Sequence, residues 1–208
     1  MATISIYGCR QTRSLRALWA LEEAGAEYDY LPVDLHAGEA RRAPFIELNP
    51  GGKVPVLVDG DLVLSESAAI ALHVADTYPA AGLAPALGSA QRARLHQWCF
   101  FALSELEQPL WTIAKHTFVF APERRVPAIL ECAGWEFARA CKVLERGLAD
   151  NPFILGEQFS VADILLGHTL RWAAGFKLKP GSERLDAYLG RLGGRPALAR
   201  ALAREAAG

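Results

Sequence analysis

Two short segments of the sequence carry residues that could bind a peptide. The first contains Lys53, Val54 and Pro55, and the second contains Glu66 and Ser67. The trans preference of an X–Pro bond is only about 0.5–1 kcal/mol, so a cis bond at Val54–Pro55 is accessible. A cis bond would turn the backbone N–H and C=O of Val54 outward, where an extended peptide could pair with them.

The Glu66–Ser67 pair could bind the charged end of the same ligand. We expect Ser67 at a helix N-terminus, where free N–H groups and the helix dipole favour a carboxylate. Glu66 beside it can accept an ammonium group. Taken separately, these features are better explained by an ordinary proline and by an N-capping serine with a first-turn acid. Together they indicate a site for a peptide with a zwitterionic end.

Alternating strand and helix patterns must position these segments. Four strands are predicted, at residues 3–7, 28–35, 54–58 and 62–64. One helix is predicted from Ser14 to a C-cap at Gly25, and another from about Ser65 to Tyr78. The helix between the first two strands predicts that they are parallel, and the hairpin of the last two adds antiparallel pairing. We expect a mixed sheet in an α/β domain at residues 1–80.

The second half of the sequence has helical spacing and no strand pattern. A junction rich in Pro, Ala and Gly, residues 78–85, is typical of a short linker. Ser160 and Asp163 fit the N-cap and the acidic N3 residue of one helix, and Pro196 opens a final helix. We therefore expect an all-α domain at residues 87–208.

The composition excludes several classes of function. The 208 residues include 22 Lys and Arg against 23 Asp and Glu, a net charge of −1, so the dense basic surface that nucleic acids require is missing. No segment reaches the ~20 apolar residues of a membrane span. The four cysteines lack a C-x2-C pair and the five histidines are dispersed, so we expect no metal site. We expect a soluble protein of the cytoplasm with neither nucleic-acid nor membrane partners.

With these motifs, the sequence resembles the cytosolic glutathione S-transferases of the bacterial type, over essentially the whole chain. Five segments carry the resemblance: Ile6-Tyr7-Gly8, residues 14–23, the N-P-x-G-K-V-P-V-L pattern of residues 49–57, Glu66-Ser67, and residues 159–164. The resemblance implies a thioredoxin-like N-terminal domain followed by an all-helical C-terminal domain. It also implies glutathione as co-substrate, no metal, a homodimer and a role in detoxification.

The same resemblance implies roles for individual residues in glutathione binding. Val54 would pair through its backbone with the cysteinyl part, while Glu66 and Ser67 would hold the γ-glutamyl end. The glycyl carboxylate would meet Lys53. Three further cations are open alternatives for that contact: His36, Arg41 and Arg42.

The reaction of this family needs the glutathione thiolate, since the thiol itself is a poor nucleophile. Lowering an ordinary thiol pKa of about 8.5 by one to two units takes about 1.4–2.7 kcal/mol of preferential thiolate stabilisation. A hydroxyl hydrogen bond together with the N-terminus of the first helix could supply that free energy.

Three residues remain open as the source of that hydroxyl. Classes of the family use a Tyr after the first strand, or a Ser or Cys at the start of the first helix, and here the usual Ser position holds Gln11. Thr12, one position away at the helix entrance, is the first candidate. Ser14 is the second, although it also fits an N-cap. Tyr7 is the third, although its ring also fits the core.

Cys9 offers a different chemistry. Residues 9–12 read C-x-x-T, without the second thiol of a dithiol redox motif. If Cys9 faced glutathione, it would form a mixed disulfide, and the activity would be thiol transfer or peroxide reduction. Otherwise Cys9 is a bystander.

We expect the pocket for the electrophile between the two domains, with Trp111 and His116 in its lining, although an aromatic stripe is also typical of a core. The leading function is conjugation of glutathione to small hydrophobic electrophiles. The alternatives are a thiol transferase or peroxidase that uses Cys9, and a non-catalytic binding module on the same fold.

Overall fold

The computed structural model describes residues 4–207, which form two compact units. The first unit comprises the described residues through Ala84 together with those from Gly194 onward, and the second is Pro85–Gly193.

The first unit is built on a four-stranded mixed sheet. Its strands are β1 (Ile4–Gly8), β2 (Tyr28–Pro32), β3 (Val56–Asp59) and β4 (Leu62–Ser65). The spatial order is β2-β1-β3-β4, with β1 parallel to β2 and the other two pairings antiparallel. The predicted mixed sheet and its parallel pair are therefore confirmed. Thr3, the first residue of the predicted strand, lies outside the described residues.

Strand β2 ends three residues earlier than the sequence pattern predicts. Its last residue is Pro32, which has no N–H to donate to a ladder. Two residues further on, the Asp34 carboxylate accepts the backbone N–H of Ala37 at 2.8 Å. This side-chain turn redirects the chain away from the sheet.

Four α-helices belong to the first unit: α1 (Ser14–Ala24), α2 (Phe45–Leu48), α3 (Ser67–Thr77) and α9 (Pro196–Ala207). Helix α1 ends at Gly25, whose φ of 63° is the left-handed C-cap that the sequence predicts. Residues 14–21 of α1 are all buried, because this helix packs against both α3 and α9.

The second unit is helical throughout, as predicted, and no strand ladder occurs within its described residues. Its α-helices are α4 (Ala90–Phe101), α5 (Glu107–Ala114), α6 (Ile129–Leu148), α7 (Val161–Gly175) and α8 (Glu183–Gly193). A π-helical turn, Ala102–Leu106, joins α4 to α5, and a second one, Lys115–Val119, follows α5.

The predicted Ser160–Asp163 cap begins helix α7. The Asp163 carboxylate is fully buried and accepts hydrogen bonds from the Ser160 N–H at 2.9 Å and the Ser160 hydroxyl at 2.8 Å. Its other oxygen accepts the Ile154 N–H at 2.9 Å and the Tyr188 hydroxyl at 2.7 Å. Burial raises the pKa of Asp163, against the opposing effect of these four bonds.

Helix α9 packs against α1, and ion pairs hold the two helices together. The Arg195 guanidinium donates to both oxygens of Glu23, at 2.5 and 2.7 Å, and Arg200 donates to Glu22 at 2.7 Å. The Arg204 guanidinium lies 5.4 Å from the ring centroid of Tyr28. Helix α9 lies within the predicted range of residues 87–208, and its packing against α1 groups it with the first unit.

Candidate functional site

The loop between β1 and α1 is closed by two hydroxyl groups. Thr12 Oγ1 donates to the carbonyl of Cys9 at 2.6 Å and accepts the Ser14 N–H at 3.2 Å. Ser14 Oγ accepts the Cys9 N–H at 3.1 Å and lies 2.8 Å from Thr12 Oγ1. Because the Thr12 proton points to a carbonyl, the hydrogen bond between the hydroxyls must be donated by Ser14. Each hydroxyl proton therefore already has an acceptor within the loop.

The two hydroxyls differ in exposure. Ser14 is completely buried, whereas Thr12 is half-buried. Gln11 lies between Cys9 and these two residues in the sequence, and its φ is 59°. Residues with a side chain rarely adopt this backbone conformation. The loop thus presents Thr12, and not Ser14, toward its surroundings.

Tyr7 and Cys9 flank this loop on the strand side. The Tyr7 ring packs edge-on against Phe45, with centroids 6.0 Å apart, beside a buried cluster that includes Val33 and Val56. Cys9 is a free, half-buried thiol. The Tyr7 side chain therefore contributes to packing, while Cys9 remains partly accessible.

The segment before β3 has backbone groups that are available for pairing. The Val54–Pro55 bond is cis, as is a second bond that the sequence analysis did not single out, Ala43–Pro44. The backbone N–H and C=O of Val54 make no hydrogen bond to any residue between 4 and 207. Asn49 orders the preceding turn, since its side chain donates to the Lys53 carbonyl at 2.7 Å and accepts the Gly51 N–H at 3.0 Å.

A cavity of about 380 Å³ lies beside this turn. Its lining comprises Leu35, His36, Gly38, Ala40, Arg41 and Gly52. Of the cations considered for the glycyl carboxylate, His36 and Arg41 therefore face the cavity. Arg42 instead stabilises its own loop, because it donates hydrogen bonds to the carbonyls of Ala37 and Gly38.

The start of α3 combines three features that favour an anion. Glu66 is exposed and has a φ of 68°, and Ser67, next along the chain, is 5% exposed. The Ser67 hydroxyl oxygen accepts a hydrogen bond from Nη1 of Arg16 at 3.4 Å. Arg16 is completely buried. Its positive charge, the positive end of the α3 dipole and the Ser67 hydroxyl therefore lie together at the start of α3, and these are the three features that favour an anion.

A carboxyl group from the C-terminal helix lies against the β1–α1 loop. Glu205 is 5% exposed, and its Oε1 has no hydrogen-bond partner among the described residues. Burial is the main reason that its pKa is raised to about 7; the nearby backbone of Gln11 and the Arg10 charge act in the opposite direction. Burial, together with Glu205 and Cys9, raises the pKa of nearby Tyr30 to about 12.

Trp111 and His116 lie in the second unit, in α5 and in the π-helical turn after it. Trp111 belongs to an aromatic row with Trp172 and Phe176, with successive centroids 6.5 and 5.9 Å apart. Nδ1 of His116 accepts the Val126 N–H at 3.0 Å, so a neutral ring carries its proton on Nε2 and would donate from there.

Sequence reasoning missed the roles of Arg16, Asn49 and Glu205. A signal for each exists in the sequence. Arg16 is the single charge in the run Leu15–Leu21, and Asn49 precedes a Pro-Gly-Gly turn. Glu205 continues the stripe of Ala197 and Ala201 at intervals of four residues, which places it on the buried face of α9.

The sequence matches two family descriptions: Glutathione S-transferase, N-terminal domain, at residues 2–76, and Glutathione S-transferase, C-terminal domain, at residues 136–204. The chain belongs to the glutathione S-transferase family, which confirms the resemblance.

Individual relatives agree with this assignment. Glutathione S-transferase F10 of Arabidopsis thaliana is 32% identical over 166 residues, which are 77% of this chain and 76% of the relative. Disulfide-bond oxidoreductase YfcG of Escherichia coli strain K12 is 33% identical over 151 residues, which are 69% of this chain and 68% of the relative. A sphingomonad glutathione S-transferase, solved in complex with glutathione, is 33% identical with a TM-score of 0.85; the match covers 98% of this chain and 100% of that one.

The class of enzyme is therefore glutathione transferase. Within residues 4–207, no helix is long and apolar enough to cross a membrane. The same residues contain no group of three or more His, Cys, Asp or Glu side chains that could hold a metal ion.

Glu205 gives the stability of the protein a specific pH dependence. Its pKa is raised from 4.5 in the unfolded chain to about 7 in the folded one, so its stabilising contribution is fully present below pH 4.5 and lost as the pH rises through 7. Relative to the parent, Glu205→Gln should gain up to about 3 kcal/mol in free energy of unfolding between pH 4.5 and pH 8. Urea denaturation at both pH values measures the gain, and a difference that does not grow with pH contradicts it.

Proposed function

We propose that this glutathione transferase conjugates the glutathione thiolate to small hydrophobic electrophiles. The observation that carries the proposal is the hydrogen bonding of Ser67. Its oxygen accepts from the buried Arg16, and its own proton has no acceptor within residues 4–207. That proton is thus available to a ligand carboxylate, at a helix N-terminus that favours one.

The remaining contacts to glutathione follow from this anchor. The γ-glutamyl carboxylate would bind at Ser67, and exposed Glu66 would accept the ammonium group. The unpaired backbone of Val54 supports antiparallel pairing with the cysteinyl part. For the glycyl carboxylate we propose Lys53, with His36 and Arg41 from the cavity beside Gly52.

We propose Thr12 as the group that stabilises the thiolate, with Ser14 as its support. Ser14 donates to Thr12 Oγ1 through both its hydroxyl and its N–H, and such donation strengthens the Thr12 O–H as a donor. A thiolate is a charged acceptor, for which hydrogen bonds are roughly twice as strong as for a carbonyl. It would therefore be favourable for the Thr12 hydroxyl to donate its hydrogen bond to the thiolate in place of the Cys9 carbonyl.

For the electrophile we propose the aromatic residues of the helical unit. Trp111 is half-buried in its aromatic row, and Phe118 is 63% exposed while stacking on Phe176 at 6.4 Å. These faces suit an apolar ring. His116, with its proton on Nε2, would donate to a polar substituent and would not act as a base.

Ser67→Ala tests the anchor. Loss of one hydrogen bond to a charged group should weaken glutathione binding roughly 10- to 100-fold, measured by calorimetry. Ser89→Ala, which removes a serine cap from helix α4 in the second unit, is the matched control and should bind as the parent does. Unchanged affinity in Ser67→Ala contradicts the proposed site.

Thr12→Val tests the catalytic assignment. Without the hydroxyl, the pKa of the bound glutathione thiol should rise by roughly one to two units, and turnover of an aryl halide at neutral pH should fall about 10- to 100-fold. Thr12→Ser should keep most of the activity, and Thr77→Val, at an exposed position ending α3, should change nothing. A pH profile identical to that of the parent would exclude Thr12.

Two observations favour a second candidate function, glutathione-dependent thiol transfer. Cys9 is free and half-buried at the entrance to the loop, and one relative of this chain bears the name disulfide-bond oxidoreductase. A mixed disulfide between Cys9 and glutathione would form when the Cys9 thiolate attacks a glutathione disulfide, with release of one glutathione thiolate.

Cys9→Ser separates the two functions. If conjugation is the activity, the variant should keep its turnover of the aryl halide, and neither parent nor variant should reduce a mixed disulfide rapidly. Loss of disulfide reduction in Cys9→Ser, with conjugation intact, establishes the second function alongside the first. Retention on immobilised glutathione without turnover in either assay would indicate a binding module.

We also propose that the enzyme is a cytoplasmic homodimer that acts in detoxification, as the family resemblance implies. The edge strand β4 supports a pairing surface, because Leu62 and Val63 are 40% and 43% exposed. Light scattering of the purified chain tests the stoichiometry.

A further inference from the structure

A row of aromatic rings reaches the surface of the second unit at Phe118. The ring of Phe118 is 63% exposed and stacks on Phe176, with an interplanar angle of 17° and centroids 6.4 Å apart. Phe176 continues the row to Trp172 and Trp111. Phe118 lies in the π-helical turn Lys115–Val119, and such turns are frequent at functional sites. Phe118 therefore offers exposed ring surface on which a further planar ring can stack.

The guanidinium of Arg125 is fixed beside this exposed ring. Its Nε donates to the carbonyl of Phe120 at 2.8 Å, and its Nη2 donates to the carbonyl of Phe118 at 3.5 Å. Arg125 is half-buried, and its Nη1 has no acceptor among residues 4–207. A guanidinium that is held through two of its nitrogens and keeps donors on the third is preorganised to bind a carboxylate.

A second donor comes from the π-helical turn itself. Nδ1 of His116 accepts the N–H of Val126, the residue after Arg125, at 3.0 Å. The His116 ring also packs edge-on against Phe120, with centroids 5.3 Å apart. The neutral ring carries its proton on Nε2, and this N–H has no acceptor within the described part of the chain. His116 and Arg125 are therefore held by the same loop, and each keeps a donor for a ligand.

The segments that carry the aromatic row contain cations and no acids. No Asp or Glu occurs in residues 108–122 or in residues 164–182. Four side chains of positive charge do occur there: Lys115, Arg171, Lys177 and Lys179. Acidic residues resume at Glu123, which is exposed. In a chain of net charge −1, this local excess of positive charge favours an aromatic ligand that is an anion.

We propose that Arg125 is a specificity-determining residue, which selects aromatic electrophiles that carry a carboxylate. The ring of the electrophile stacks on Phe118, and its carboxylate accepts a hydrogen bond from Nη1 of Arg125, with Nε2 of His116 as the second donor. This inference rests on the proposed function, because it names the substrate class of that reaction. For an aryl halide, the thiol proton goes to solvent, the glutathione sulfur forms a bond to the ring carbon, and the halide leaves that carbon with its electron pair.

Two ligands that do not react separate the effect of charge from that of stacking. Naphthoate and naphthamide share the aromatic ring and differ in charge, and neither requires glutathione. Calorimetry of the full chain should show roughly 10-fold tighter binding of naphthoate. In Arg125→Gln this preference should disappear. Equal or undetectable binding of the two ligands to the parent, or an unchanged preference in Arg125→Gln, overturns the inference.

Arg124→Gln is the matched control, because it removes the same charge at the exposed neighbouring position. It should keep the preference for naphthoate within about twofold of the parent, since exposed charges contribute little. A loss of preference in Arg124→Gln as large as that in Arg125→Gln indicates an effect of net charge alone and overturns the assignment to Arg125.

Arg125 also supports the loop that bears Phe118, so its structural role must be separated from recognition of charge. A loosened loop weakens both ligands alike, whereas loss of the carboxylate contact weakens naphthoate alone. Arg125→Lys keeps the charge without the planar fork and should retain part of the preference. Phe118→Ala should weaken both ligands and leave their ratio unchanged. An equal loss for both ligands in Arg125→Gln assigns Arg125 to the fold and overturns the inference.

The reaction is tested with a chloronitrobenzoate and the corresponding chloronitrobenzamide. The ratio of kcat/KM for the acid to that for the amide should fall roughly 10-fold from the parent to Arg125→Gln. Comparison of two ratios cancels the different intrinsic reactivities of the two chlorides. An unchanged ratio overturns the specificity role. Absence of turnover of both chlorides in the parent contradicts the proposed function instead, and the naphthoate preference then decides the role of Arg125 independently of the reaction.

Discussion

The buried guanidinium of Arg16 is the constraint on which the rest of the first unit depends. A charge without access to water must be met by polar partners, and one of these is the Ser67 hydroxyl at the start of α3. Helices α1 and α3 must therefore pack in one register, which the apolar faces alone would not specify. The cation also lies where the α3 dipole is positive, so both fields favour an anion at the same point. The positive field at the start of α3 therefore comes from a buried cation, and the exposed residue next to it is Glu66.

The hydroxyl groups of the site divide into two kinds according to where their protons go. Ser67 accepts a hydrogen bond from Arg16, and its own proton has no acceptor among residues 4–207. Thr12 and Ser14 donate inside the loop, so they fix its shape before any ligand arrives. Thr12 can take a catalytic part only by exchanging one acceptor for a better one, and a thiolate meets that condition. The four hydrogen bonds of the loop thus fix its shape, and under the proposed mechanism the thiolate would replace the acceptor of one of them.

The sequence allowed prediction of several features that depend on local pattern. The strand alternation, the Gly25 cap, the Ser160–Asp163 cap and the parallel pair could all be inferred, because each depends on residues close together in the chain. The motifs around Pro55 and Ser67 identified the family for the same reason. The end of β2 and the turn ordered by Asn49 escaped prediction although they are local, whereas the other missed features depend on long-range partners. Burial of Arg16 and of Glu205 requires knowing which helix covers them, and periodicity marks the buried face without naming its neighbour.

Helix α9 shows why such partners matter for function. Its ion pairs with α1 are partly exposed, and exposed pairs contribute little free energy, so they orient the helix more than they stabilise it. Its buried carboxyl contributes a destabilising charge at neutral pH. A leucine at that place would remove the penalty. A buried group that lowers stability is typical of a functional site, where stability is commonly lower than the fold could reach.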